Sequence, residues 1–79
     1  MADYVLPDET EVTFDLEKMT VKEYRDFAKG AQSDAEDDLL MARVTGLTVE
    51  QIESLSQPTY RRLIKAFYDK SRQPLNDPN

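Results

Sequence analysis

Three helix-start boxes follow one another down this chain. Thr20-Val21-Lys22-Glu23, Ser33-Asp34-Ala35-Glu36 and Thr48-Val49-Glu50-Gln51 each place a hydroxyl side chain three residues before a Glu or Gln. At that spacing the hydroxyl accepts from the backbone of the third helical residue, and the longer side chain reaches back to the cap's own N–H. Apolar residues at helical spacing follow each box. Val21, Tyr24, Phe27 and Ala28 come after the first. After the second, Ala35, Leu39 and Ala42 form one stripe, and Leu40, Val44 and Leu47 continue another. Val49, Ile52 and Leu55 follow the third. Gly30 and Gly46 stand where the first two helices must stop, each as a left-handed cap. Ser56-Gln57 is a break, Pro58 suits the first turn of a fourth helix, and that helix runs to about Arg72.

The residues before Thr20 read differently. Tyr4, Val5 and Leu6 lead into Pro7-Asp8-Glu9, a turn sequence. From Thr10 to Leu16 the chain alternates, with Val12, Phe14 and Leu16 on one side and Glu11, Thr13 and Asp15 on the other. Period two with β-branched and aromatic residues predicts a half-buried strand, hence a hairpin. A lone hairpin is marginal, so this one must pack on the helices. The expected fold is mainly α: a small four-helix domain with a short extended or β-hairpin N-terminal segment. One domain is expected over 1–79, with an extended segment at 1–18, a helical body at 20–72 and a frayed tail at 73–79. That tail carries two of the chain's four prolines.

A chain of 79 residues buries only about 60% of the surface its unfolded form exposes, so the core is thin. Cys and His are both absent. That removes disulfides, thiol nucleophiles, imidazole bases and Cys/His zinc sites. Only two glycines are present, too few for a phosphate loop. No apolar run approaches the roughly 20 residues that span a bilayer, and the start does not read as a secretion signal. A soluble, non-enzymatic protein of a reducing compartment is expected, without cofactor or metal.

The net charge is -6, unevenly spread. Residues 1–57 hold five bases and fourteen acids, net -9, whereas residues 58–72 hold five bases and one acid, net +4. An acidic body with one basic helix disfavours non-specific nucleic-acid binding and suits a complementary protein surface.

The last helix carries the candidate site. At about 100° per residue, Leu63, Phe67, Tyr60, Ile64 and Tyr68 fall within an arc of roughly 140°. Arg61, Arg62, Lys65, Asp69 and Arg72 take the other side. The plain reading makes the stripe core and the basic face solvated. The sharper reading leaves part of the stripe uncovered, with a charged rim, as a docking surface for a partner helix. On that reading Tyr60, Ile64, Phe67 and Tyr68 are apolar contacts and Arg61 and Lys65 are rim charges.

Two other features of the chain bear on function. Asp34, Glu36, Asp37 and Asp38 lack the alternating spacing and central glycine of a calcium loop, and acids at a helix start are favoured by the helix dipole. Gly46 to Lys65 resembles a helix-turn-helix, with 49–55 crossing the backbone and the basic helix entering the major groove. Glu50 and Glu53 would then face phosphates.

Three stretches carry a family resemblance: Phe14-Asp-Leu-Glu-Lys-Met-Thr-Val-Lys-Glu-Tyr, Leu39-Leu-Met-Ala-Arg-Val-Thr-Gly-Leu-Thr-Val-Glu-Gln-Ile-Glu-Ser-Leu and Tyr60-Arg-Arg-Leu-Ile-Lys-Ala-Phe. The chain resembles the small tail assembly chaperones of long-tailed bacteriophages over about residues 5 to 70. Their pattern runs from an extended piece to a Thr-started helix, a Thr-Gly-Leu-Thr/Ser step, an x-x-Ile-x-x-Leu turn of helix and a final aromatic helix. Thr59 departs from it, standing where the family commonly has an acid; if that acid caps the helix, Thr59 replaces it as a weaker cap. The resemblance implies a host-cytoplasm chaperone that binds the tape-measure protein, keeps it soluble and hands it to tail-tube subunits. It implies the tape-measure protein as partner, with the tail-tube protein and a second copy of the chain as further candidates, and neither nucleic acid nor membrane. The competing readings are a small helix-turn-helix regulator and an acidic phage inhibitor of a host nuclease. In the inhibitor, Asp34, Glu36, Asp37 and Asp38 would mimic nucleic acid.

Overall fold

The computed structural model describes residues 2–72. The expected frayed tail, 73–79, lies outside the described residues. Strands β1 (Tyr4–Val5) and β2 (Glu11–Val12) precede helices α1 (Val21–Lys29), α2 (Asp34–Thr45), α3 (Val49–Glu53) and α4 (Gln57–Arg72). The fold is mainly helical with an N-terminal antiparallel hairpin, as the sequence predicts.

All three boxes form. Thr20, Ser33 and Thr48 each accept from the backbone N–H of the third helical residue, and Glu23, Glu36 and Gln51 each accept from the cap backbone. Glu23 does more than close its box. Its second oxygen accepts from Arg43 at 2.9 Å, which ties α1 to α2. The Thr20 backbone N–H, then Arg43, hold its carboxyl below the usual value. Gly30 (φ 68°) and Gly46 (φ 80°) end α1 and α2 in the left-handed region, where an L side chain is strained.

Helix α4 is capped by Ser56, three residues before Thr59. Ser56 Oγ accepts from the Thr59 N–H at 3.3 Å and donates to the Thr59 hydroxyl at 2.8 Å. Thr59 is therefore the third helical residue, buried beneath the cap rather than the cap itself. Pro58 sits in the first turn, where its missing N–H costs nothing.

The hairpin turns at Pro7-Asp8-Glu9, with the Glu9 N–H donating to Leu6 C=O at 2.8 Å. Asp8 accepts from the Thr10 N–H at 3.0 Å, and the Thr10 side chain, then this N–H, lower its carboxyl's pKa. Glu9 adopts φ 70°, the position a three-residue hairpin loop reserves for a left-handed residue. Strand pairing is shorter than the alternation suggests, because Asp15 accepts from the Glu17 N–H and starts a 3-10 turn at Leu16–Lys18. The alternation of burial nonetheless holds: Val12 and Phe14 point inward, Glu11, Thr13 and Asp15 outward. The Asp15 N–H donates to Val44 C=O at 2.9 Å and pins this arm to α2.

Leu6, Val12 and Phe14 from the arm join Phe27 of α1, Leu40, Met41 and Val44 of α2, Leu47, Ile52 of α3, and Leu63 and Phe67 of α4 in one apolar core. Helix α2 can bury only one side. Leu40, Val44 and Leu47 take it; of the other stripe Ala42 packs partly against the core, whereas Ala35 and Leu39 are left outside, Leu39 at 57% exposure. Val21, the first apolar residue of α1, is also outside.

Candidate functional site

The six α4 residues proposed for partner contact do not share one environment. Phe67 is fully buried. Its ring lies 5.6 Å from Phe27, 5.7 Å from Phe14, 6.0 Å from Tyr24 and 5.5 Å from Tyr68. In this conformation it presents no surface to a partner; it is the hub to which two other segments, the N-terminal arm and α1, dock. Tyr60, Ile64 and Tyr68 are half-buried. Spaced four residues apart, they form a seam along one flank of α4. Arg61 and Lys65 are exposed beside that seam. Lys65 reaches Asp69 at 3.1 Å, whereas Arg61 makes no ion pair among the described residues.

The two ends of the seam differ. Tyr68 packs on Tyr24 and Phe27 of α1, and the Arg72 guanidinium lies 5.7 Å over its ring. Tyr60 instead lines a groove of about 420 Å³ between α2, α3 and the start of α4. Ile52 and Leu55 line it with Tyr60, and Asp34, Asp37, Asp38 and Glu53 add four carboxylates. Burial first, then Asp38, Asp37 and Asp34, pushes the Tyr60 hydroxyl up to about 12. Burial and like-charged neighbours also raise Asp37 and Asp38. Asp37 Oδ1 is shielded from solvent and receives no hydrogen bond.

This acidic groove escaped the sequence reading, which placed the acids on a solvated helix start or as mimics of nucleic acid. A signal was present. Asp37 stands three residues before Leu40, seven before Val44 and ten before Leu47, on the stripe that faces the core. A carboxylate in line with a buried stripe is not a solvated one. Glu36, by contrast, is occupied in capping Ser33. Among the described residues no group of three or more acids is placed to hold a metal ion. A smaller groove of about 250 Å³ lies between the 3-10 turn and α1, lined by Leu16, Met19, Val21 and Tyr24. No described helix is long and apolar enough to cross a membrane.

Fold and surface together define a small helical protein with a half-buried apolar seam along α4, while its exposed large apolar side chains, Val5, Val21 and Leu39, lie on β1, α1 and α2. Residues 7–69 match the family model described as "Phage tail assembly chaperone proteins, E, or 41 or 14", and the chain belongs to the phage tail assembly chaperone family. Neither the curated proteins nor the solved structures include a match to the chain.

Proposed function

We propose that this protein binds the phage tape-measure protein in the host cytoplasm and keeps it soluble while tail-tube subunits assemble around it, without catalysing a reaction. The observation that carries the reading is the half-buried Tyr60-Ile64-Tyr68 seam, rimmed by exposed Arg61 and Lys65, in a member of the tail assembly chaperone family. A long helical client exposes apolar stripes before assembly, and such stripes aggregate. A small domain that lends them a matching apolar seam removes that surface from water. Its net charge of -6 opposes association of the resulting complexes. A seam of half-buried residues offers moderate affinity, which suits a client that must later be released to tube subunits.

Phe67 supports the site from below, holding Tyr68 and the arm in place. The regulator reading loses ground at the start of α4. A recognition helix meets base edges with its N-terminal residues, yet here Gln57 and Tyr60 border a groove of four carboxylates. The nuclease-inhibitor reading needs a continuous outward row of acids, whereas Asp37 and Asp38 are half-buried and Glu36 is engaged in capping Ser33.

Capture of co-expressed tape-measure protein tests the reading. Wild type should retain it, and an Ile64→Ser variant combined with Arg61→Glu and Lys65→Glu should retain much less while keeping the wild-type circular dichroism. Equal capture by the folded triple variant would remove the α4 seam from the site. No capture by wild type would remove the tape-measure protein as client.

A further inference from the structure

The groove at the start of α4 has a composition that specifies what could fill it. Its four carboxylates, Asp34, Asp37, Asp38 and Glu53, take part in none of the ion pairs among the described residues. No lysine or arginine lines it. Asp37 and Asp38 are half-buried while Asp34 and Glu53 are exposed, and each like charge nearby makes a partly buried carboxylate less favourable. Helix-dipole stabilisation at the start of α2 offsets part of this cost for Asp34 and Asp37, which lie in its first turn, but Glu53 lies at the far end of α3. The groove is also not simply acidic. Ile52 and Leu55 of the α3 segment and the Tyr60 ring give it apolar lining that a hydrated metal ion or a nucleic-acid phosphate would not match.

We propose that this groove takes a basic amphipathic segment of the client protein, a Lys or Arg side chain seated among the carboxylates with an adjacent large apolar side chain against Leu55 and Tyr60. The proposal rests on the chaperone reading and supplies the chemistry of the client segment. Three observations converge on it. The charge of the groove is complementary to a cation, and no lysine or arginine of the described chain lines it. Asp37 Oδ1 is buried without a donor, a state that an incoming cation relieves by compensating the charge. Tyr60 belongs both to this groove and to the α4 seam, so one client segment can lie along the seam and turn its charged residue into the acids. Lysine and arginine suit such a site because their alkyl stems cover apolar surface while the charged head reaches the carboxylates. The acids then set specificity: an apolar stripe rimmed by Asp or Glu is repelled, and one rimmed by Lys or Arg is accepted.

The test titrates the full chain, with Ile52, Leu55 and Tyr60 followed by NMR, with three synthetic peptides. One is a helical Leu/Lys amphipath, the second a Ser/Lys peptide of equal charge, the third a Leu/Glu amphipath. The Leu/Lys peptide should shift all three groove resonances. The other two should bind at least about tenfold more weakly, since each lacks one of the two contacts. An Asp34→Asn/Asp38→Asn variant, folded by circular dichroism, should lose about tenfold in affinity for the Leu/Lys peptide, and Tyr60→Ala should lose a similar amount. Equal binding of the Ser/Lys peptide would reduce the effect to generic attraction by an acidic protein and overturn the proposal. So would shifts confined to the α1 side, or unchanged binding by the double variant. Salt-sensitive self-association of wild type, abolished in the double variant, would make the basic face of a second copy the occupant and would also overturn it. The same variant separates this idea from the chaperone reading. If it captures tape-measure protein as well as wild type, the groove is wrong and the chaperone stands. If wild type captures none while the Leu/Lys peptide fills the groove, the converse holds.

Discussion

Phe67 stands edge-on to Phe27, with ring centroids 5.6 Å apart and planes at 87°. This pair joins the last helix to the first, and Phe14 adds the N-terminal arm from another side at 5.7 Å. Edge-to-face pairs of this kind add about 0.5–1.5 kcal/mol to the burial of the rings themselves. In a core this thin the loss is not made up elsewhere. Phe67→Ala should cost about 3–5 kcal/mol and leave the chain largely unfolded at 37 °C. Thermal melts followed by circular dichroism check it. A variant that melts within a few degrees of wild type would show that Phe67 is not the hub. The substitution is therefore a probe of folding, and a loss of client capture in it would say nothing about contact.

Asp3 joins the two ends of the described chain. Its carboxylate accepts from the Phe14 N–H at 2.9 Å and pairs with Lys70 at 3.2 Å. Asp3→Ala leaves both donors without their partner and should cost about 1–2 kcal/mol. Lys70→Ala removes only the partly exposed charge and should cost less than 1 kcal/mol, roughly the value of a surface pair. Urea midpoints of the two variants give the comparison, and equal losses would mean that the backbone hydrogen bond contributes nothing.

Asp37 ties stability to pH. Its folded carboxyl lies above the usual 3.8, chiefly through burial, then through Asp34, Asp38 and Glu36. A carboxyl raised in the folded state binds its proton more tightly there than in the unfolded chain. Ionising it thus destabilises the fold, fully at neutral pH and progressively less as pH falls through the raised value towards 3.8. Asp37→Asn keeps an acceptor oxygen but removes the charge, and should stabilise the protein at neutral pH by less than about 1 kcal/mol, because the partly exposed group is screened by solvent. The gain should shrink on acidification towards about pH 4. Melting temperatures of both proteins across that range decide it; a gain independent of pH would exclude ionisation as the cause.

Glu9 holds φ 70° in the hairpin loop. A non-glycine residue pays roughly 1 kcal/mol there, so Glu9→Gly should stabilise by about 0.5–1 kcal/mol. The opposite change at Gly46 (φ 80°) should destabilise by about 1 kcal/mol in Gly46→Ala, and a new Cβ would meet nothing within 4 Å, so the cost is backbone strain alone. Denaturant titration of the pair should show shifts of opposite sign.

Local chemistry made most of this fold legible. The boxes at Thr20, Ser33 and Thr48 and the glycines at 30 and 46 act within one helical turn, so their neighbours in sequence determine them. The same holds for the turn at Pro7-Asp8-Glu9. What depends on contacts distant in sequence was not legible. The wheel of α4 groups Phe67 with Tyr60, Ile64 and Tyr68, but only the convergence of Phe14, Tyr24 and Phe27 decides which ring is enclosed. Likewise the two stripes of α2 look equivalent until the arm and α4 cover Leu40 and Val44 and leave Leu39 in water. The acidic groove needed α2, α3 and α4 together, although the place of Asp37 on a buried stripe hinted at it.

The central claim is that this small acidic fold keeps a much longer apolar helical client in solution. The direct measurement is the soluble fraction of the phage's tape-measure protein expressed with and without it, read after centrifugation. The client should be mostly pelleted alone and mostly soluble, in complex with this chain, when the two are expressed together. A tape-measure protein that is equally soluble in both cases, or that pellets regardless, would contradict it.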